Sequence, residues 1–137
     1  MKLAGLTLAY WCVIVAALLP MVSAWIAKSG SFSRPPRQGG FDNHNPRAWL
    51  ARQEEWRARA NAAQANGFEQ LPFFIGAVII AHQLGRAQPV LDLLALAYVL
   101  LRCGYIAAYV KDFPTLRSLI WTAALFVNVA ILFAGAR

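Results

Sequence analysis

Charged residues are scarce in this sequence. They make up 14% of its 137 residues, about half of the share that is usual in a soluble domain. Only two cysteines and two histidines are present, and no CxxC, HExxH or other metal-ligand spacing occurs, so neither a disulfide framework nor a metal site is predicted. The hydrophobic content of 59% excludes a disordered chain.

Apolar residues, by contrast, are abundant enough to fill several membrane spans. Of 137 residues, 59% is about 81 residues, and four membrane-spanning helices of about 20 residues each need about 80. Little sequence is left over for a separate soluble domain. The composition therefore predicts an all-α protein, an integral membrane four-helix bundle that forms a single domain over residues 1–137.

Four apolar segments carry this prediction, at about 3–27, 60–84, 89–111 and 116–136. A loop rich in glycine, proline and asparagine is predicted at 28–46. From residue 47 to residue 84 helix formers continue, so we expect one long helix whose first turns protrude into water and which bends at Pro72.

The first apolar segment has an alternative interpretation as a cleaved signal peptide. Lys2 precedes it, and Val22-Ser23-Ala24 resembles a cleavage site. The apolar run is, however, longer than the 7–15 residues typical of a signal peptide. A retained membrane span is therefore the favoured prediction.

The basic residues predict the orientation in the membrane. They do not form one stripe with aromatic residues, so the net charge of +7 is not taken as a sign of nucleic-acid binding. One side of the membrane receives Lys28, Arg34, Arg37, Arg47, Arg52, Arg57, Arg59, Lys111 and Arg117, and the other receives Lys2, Arg86 and Arg137. Because basic loops stay in the cytoplasm, both termini are predicted to be non-cytoplasmic. The compactness of the chain favours a bacterial inner membrane.

Ionisable residues inside the predicted spans mark a candidate site. Glu69 and Arg102 lie where a charge costs at least about 2.5 kcal/mol, so they should face the bundle interior and have partners. One carboxylate cannot balance Arg59, Arg102 and Arg117 together. The surplus of guanidinium groups predicts an anionic ligand held at the cytoplasmic side of the bundle.

A purely structural interpretation stays open at this point. Glu69 and Arg102 could form an ion pair, and Asn66 could donate or accept one interhelical hydrogen bond. Tyrosines near the ends of the spans could belong to an interfacial belt.

The helix-two pattern resembles the signature of the MAPEG family, the membrane-associated proteins of eicosanoid and glutathione metabolism. The pattern reads Arg59-Ala60-x-x-Ala63-x-x-Asn66-x-x-Glu69-x-x-Pro72-Phe73. Further matches are Arg102, the Tyr105-x-x-x-Tyr109 pair and Arg117-Ser118 at the start of the last helix. The similarity extends over nearly the whole chain.

The resemblance implies a homotrimer that binds glutathione as co-substrate between neighbouring subunits, toward the cytoplasm. The residues implied to hold the tripeptide are Arg59, Asn66, Glu69, Arg102, Tyr105 and Tyr109. Arg117, matched with a gap of one residue, is implied to activate the thiolate with help from Tyr109. We therefore expect a glutathione-dependent transferase or peroxidase that acts on a lipophilic electrophile reaching it from the bilayer.

One departure from the family pattern keeps alternatives open. Well-studied eukaryotic enzymes of the family carry an arginine where this chain has Ala62. One arginine that would bind a carboxylate of the ligand is therefore missing, unless Arg59, one turn earlier, takes its place. A non-catalytic membrane protein that binds a lipid or an anionic metabolite is the alternative. A small proton-coupled exporter is a third hypothesis, since a buried carboxylate among four spans could relay protons.

Overall fold

A computed structural model describes residues 2–85 and 87–133 of the protein. A short antiparallel hairpin, β1 (Lys2–Leu3) and β2 (Leu6–Thr7), precedes the first helix. The helices are α1 (Leu8–Lys28), α2 (Pro46–Ala51), α3 (Glu55–Gln83), α4 (Gln88–Val110) and α5 (Pro114–Phe133), with a 3-10 turn at Pro36–Gln38. The prediction of an all-α membrane four-helix bundle is confirmed.

The four long helices α1, α3, α4 and α5 pack around one core. Among them, α1, α4 and α5 are long and apolar enough to cross a membrane by length and composition. Helix α3 has 29 residues, a length of about 44 Å, and its first turns are polar. Because α3 packs against α1, α4 and α5, it belongs to the same bundle.

The chain reverses direction at short turns, which places functional segments at two ends. We call one of these ends the loop end. It holds residues 29–45, the start of α3, the turn at 111–113 and the start of α5. Six of the nine basic residues predicted for the cytoplasmic side lie in these segments. The other three adjoin them, since Lys28 ends α1, Arg47 lies in α2 and Arg52 follows α2. Arg86, Arg137 and positions 134–136 of the fourth predicted span lie outside the described residues.

Small residues allow the helices to approach closely. Buried alanines line the helix contacts, among them Ala16, Ala63 and Ala95, as is usual where membrane helices pack. Gly67 of α3 faces the ring of Pro20 in α1, and a Cβ added there would lie 2.9 Å from the Pro20 Cγ atom. A larger residue at position 67 would therefore push α1 and α3 apart.

The end opposite the loop end is fixed by polar contacts between helices. The Asp92 carboxylate accepts hydrogen bonds from the Ala9 N–H (2.9 Å) and from Gln88 Nε2 (2.7 Å). His82 Nδ1 donates to the Val78 carbonyl (2.8 Å), and its Nε2 lies 3.0 Å from the Thr7 hydroxyl. These contacts attach the start of α1 to α3 and α4.

Two helix boundaries differ from the prediction. Helix α1 begins at Leu8 rather than near residue 3, because the hairpin occupies the first residues and the Thr7 hydroxyl caps the helix by accepting from the Tyr10 N–H. The single helix expected from residue 47 to residue 84 is wrong, since Arg52, Gln53 and Glu54 separate α2 from α3.

The break between α2 and α3 follows from packing rather than from a local breaker. Trp49 and Leu50 of α2 are buried against Ala27 and Ala60. Gln53 Nε2 donates to the Trp49 carbonyl (2.8 Å), which also accepts from the Arg52 N–H (3.2 Å) at the end of α2. Helix α3 then runs without interruption through Pro72.

Candidate functional site

A polar cleft of about 220 Å³ opens near the loop end, between α3, α4 and α5. We call it the interhelical cleft. Its lining residues are Asn66, Tyr105, Arg117, Ser118, Trp121 and Thr122. Three of the residues that the sequence predicted for the site therefore line one cleft, although they lie on three different helices.

Arg102 supports the cleft from behind. Its side chain is 4% exposed and lies eight residues before the end of α4, about 12 Å along the helix axis. Its Nη2 donates a hydrogen bond of 2.9 Å to Oδ1 of Asn66 in α3. Its guanidinium carbon lies 4.3 Å from the centre of the Tyr105 ring, so one buried cation orients two residues of the cleft.

Two of the three tyrosines of α4 contact each other beside the cleft. Their rings meet edge to face, with 5.6 Å between the centres of Tyr105 and Tyr109. The guanidinium of Arg117 at the start of α5 lies over the Tyr109 ring, 4.3 Å from its centre. A cation over an aromatic face is attracted by the ring, so Tyr109 holds Arg117 at the rim of the cleft.

Glu69 lies on the outer side of this arrangement. It is exposed on the single chain and forms neither a hydrogen bond nor an ion pair with another described residue. The ion pair between Glu69 and Arg102 considered from the sequence is therefore absent, because Arg102 turns to Asn66 instead. Glu69 remains within electrostatic range of Tyr105.

Arg59 is a further predicted site residue that lies outside the lining of the cleft. It is half-buried, and its Nε donates a hydrogen bond of 3.1 Å to the Val110 carbonyl at the end of α4. A cation at the carboxyl end of a helix is favoured by the helix dipole. Arg59 thus connects α3 to α4 and does not line the interhelical cleft.

The charge of the cleft is positive. Arg117 lines it, Arg102 lies behind it, and none of the six acidic residues of the chain is part of its lining. In a partly dry environment, two guanidinium groups that form no ion pair with a described carboxylate favour an anion. The cleft can therefore bind a carboxylate or stabilise a thiolate.

The wall formed by α5 includes a residue that the sequence reasoning missed. Thr122 lines the cleft with Ser118, and both hydroxyls donate back to their own helix, to the Ser118 carbonyl (2.9 Å) and the Pro114 carbonyl (3.0 Å) respectively. Their oxygens can still accept a hydrogen bond. The sequence could have indicated Thr122, because it follows Ser118 by four residues and such pairs share a helix face.

The position that lacks the family arginine lines the same groove as another arginine. Ala62 lines an open groove of about 410 Å³ together with Ala58, Ala65 and Arg47 of α2. Arg47 is exposed and forms no ion pair with a described residue. The groove and the interhelical cleft flank the same stretch of α3.

This fold and this polar cleft define an integral membrane four-helix protein with a candidate site for a small anionic molecule. The family model described as "MAPEG family" matches residues 8–137. The chain therefore belongs to the MAPEG family, which confirms the resemblance drawn from the helix-two pattern and makes it a membrane protein of the glutathione- and eicosanoid-metabolism type. No curated protein and no solved structure matches the chain.

Proposed function

We propose that this protein is a membrane glutathione transferase or peroxidase that acts on a lipophilic electrophile. The observation that carries the proposal is the position of Arg117, at the rim of an acid-free cleft and directly over Tyr109. In the transferase reaction the glutathione thiolate attacks an electrophilic carbon. A C–S bond forms, and the leaving group departs with its electron pair. In the peroxidase reaction two glutathione molecules reduce a hydroperoxide to an alcohol and water and are themselves oxidised to one molecule of glutathione disulfide.

Arg117 would activate the thiol. A free thiol has a pKa of about 8.5, so only a small part of it is thiolate at neutral pH. A guanidinium near the sulfur favours the charged form and lowers that pKa. The Tyr109 ring keeps the guanidinium in one place, and the hydroxyl of Tyr105 or Tyr109 can add a hydrogen bond to the sulfur.

The remaining polar residues would hold the tripeptide. Glu69 is exposed and unpaired within the described chain, so its carboxylate is available for the glutathione ammonium group. Asn66 and Tyr105 line the cleft, and Arg102 keeps both in place. We assign Arg102 a positioning role, because its guanidinium is buried behind the residues that it contacts.

Arg47 would replace the carboxylate clamp that is missing at position 62. It lines the same groove as Ala62, and its guanidinium is exposed and not neutralised by a described carboxylate. Arginine binds carboxylates through two parallel hydrogen bonds. An arginine on α2 could therefore bind the glutathione carboxylate that an arginine at position 62 of α3 would otherwise bind.

A homotrimer would complete the site. The interhelical cleft of about 220 Å³ is smaller than the pockets of about 300–1,000 Å³ that usually enclose a ligand of this size. A neighbouring subunit placed against its open side would enlarge it into a closed pocket. We place this pocket at the cytoplasmic side, since the loop end carries the basic residues, and we expect the electrophile to arrive from the lipid.

A non-catalytic protein that binds a lipid or an anionic metabolite is the second candidate, favoured by Ala62. Two measurements on the detergent-solubilised protein separate the candidates. Glutathione at 100 times its dissociation constant should stabilise the fold by about 2.7 kcal/mol, and conjugation of a generic electrophile should then be observed. Stabilisation without turnover would support the binding protein, and no stabilisation at millimolar glutathione would refute glutathione use.

A further inference from the structure

A second polar cavity lies at the loop end, away from the interhelical cleft. It has a volume of about 170 Å³ and is bounded by the loop after α1, by α2 and by the first turn of α3. We call it the loop cavity. It shares no lining residue with the interhelical cleft, so it is a separate feature of the molecule.

Hydrogen bonds hold the walls of the loop cavity in place. Trp49 Nε1 donates to the Gly39 carbonyl (3.4 Å), and Gln53 Nε2 donates to the Trp49 carbonyl (2.8 Å). Arg57 Nη2 donates to the Ser29 carbonyl (2.9 Å), and the Arg57 guanidinium also lies 4.4 Å from the centre of the Trp56 ring. The cavity is therefore formed before any ligand arrives.

Two guanidinium groups line the loop cavity, and both have donors to spare. Arg57 Nε is buried and has no hydrogen-bond partner. Arg34 is exposed, and its side chain makes no hydrogen bond or ion pair with a described residue. None of the six acidic residues lines the cavity. A cavity that is lined by two arginines and by no carboxylate favours an anion.

We propose that the loop cavity binds a phosphate group. A phosphate offers several oxygens in a tetrahedral arrangement, so it can accept from two guanidinium groups that approach from different directions, and arginine is well suited to it. The cavity begins two residues after the end of α1 at Lys28, and the end of a helix that crosses the bilayer would lie near the lipid headgroups. The phosphate can come from a phospholipid or from a soluble phosphate ester, and the experiment below separates these sources.

A structural role for the two arginines explains less of the geometry. The bond from Arg57 to the Ser29 carbonyl attaches the loop to α3 but uses only one of its nitrogens. Arg34 contributes nothing to that attachment. A general excess of positive charge at this end of the protein would not require the two groups to line one cavity.

The test measures the thermal unfolding midpoint of the full-length protein in neutral detergent at constant ionic strength. Glycerol 3-phosphate is the soluble probe. Phosphatidylglycerol in mixed micelles is the lipid probe, with diacylglycerol as the phosphate-free control. At least one phosphate probe should raise the midpoint in a saturable manner, and Arg34→Gln should weaken the apparent affinity about tenfold or more.

Arg37→Gln is the matched control, because Arg37 lies in the same loop, is exposed and does not line the cavity. Arg34→Gln is the primary variant, since Arg57→Gln also removes the bond to Ser29. A response to glycerol 3-phosphate supports a soluble ester, and a response to phosphatidylglycerol alone supports a lipid headgroup. The proposal is overturned if neither probe raises the midpoint, or if Arg34→Gln and Arg37→Gln respond alike.

Discussion

Arg102 in α4 donates a hydrogen bond of 2.9 Å to Asn66 in α3, inside the apolar part of the bundle. The same guanidinium lies over the ring of Tyr105. A charge at this depth is costly unless it has partners, and here the partners are an amide and an aromatic face rather than a carboxylate. The positive charge is therefore retained next to the interhelical cleft, where it favours an anionic ligand.

Asn66→Ala should destabilise the protein, because it removes the acceptor of a buried guanidinium. We expect the free energy of unfolding to fall by about 1–3 kcal/mol, measured by thermal or denaturant unfolding in detergent. The control is Asn61→Ala, since Asn61 lies on the same helix but makes no side-chain hydrogen bond with a described residue. Equal stability of the two variants would contradict the role assigned to the Arg102–Asn66 bond.

Arg117→Ala should reduce the conjugation of a generic electrophile at neutral pH by about 100- to 1,000-fold, as expected when one charge-stabilising group is removed. Without the guanidinium the pKa of the bound thiol rises, so the remaining activity should shift to higher pH. The ultraviolet absorbance of bound thiolate should fall in parallel.

The control for this change is Lys111→Ala, which removes an exposed positive charge from the same end of the bundle. Its rate and pH profile should match those of the unmodified protein. If both variants lose activity to the same degree, a general effect of charge explains the result, and the specific role of Arg117 is wrong.

Arg47→Ala should weaken glutathione binding by about tenfold or more, the loss expected for one hydrogen bond between charged groups. The measurement is the dissociation constant from calorimetry or from the shift of the unfolding midpoint. Because Arg47 is exposed, stability without ligand should stay within about 0.5 kcal/mol. Arg52→Ala serves as control, and an unchanged dissociation constant in Arg47→Ala would exclude Arg47 as the replacement for the missing clamp.

Gly67→Ala should destabilise the bundle, because the new Cβ would lie 2.9 Å from the Pro20 Cγ atom. Overpacking of this kind costs about 1–3 kcal/mol. Gly76→Ala on the same helix meets no atom within 4 Å and should stabilise by about 0.5–1 kcal/mol, since alanine loses less backbone entropy than glycine. Opposite shifts of the unfolding midpoint are expected, and a stabilised Gly67→Ala variant would contradict the close approach of α1 and α3.

Part of the candidate site could be predicted from helix periodicity. Asn66 lies three residues before Glu69, and Tyr105 lies four before Tyr109, so each pair was expected to share a helix face. Thr122 follows Ser118 at the same spacing and could have been included. The spacing does not indicate which face of a helix turns toward the bundle interior. Glu69 was therefore expected to have a partner inside the bundle, but it lies on the exposed side.

Other features depended on contacts between distant segments. Nothing near Gln53 marks a helix end, yet α2 stops there because Trp49 packs over Ala27 and Ala60. The bond from Arg59 to the Val110 carbonyl joins residues that are 51 positions apart in the sequence, so no local pattern indicates it. The loop cavity likewise needs three separated segments and has no counterpart in a local pattern.

The amino-acid sequence by itself determined the class of this protein, its all-helical architecture and its family, because long apolar runs can satisfy their backbone hydrogen bonds in a bilayer only as helices or closed barrels. Only the tertiary structure decided which polar groups meet. Whether a given arginine contacts an amide, a carbonyl, an aromatic ring or a cavity depends on how helices rotate and approach one another, and that is set by the packing of small residues such as Gly67 against Pro20.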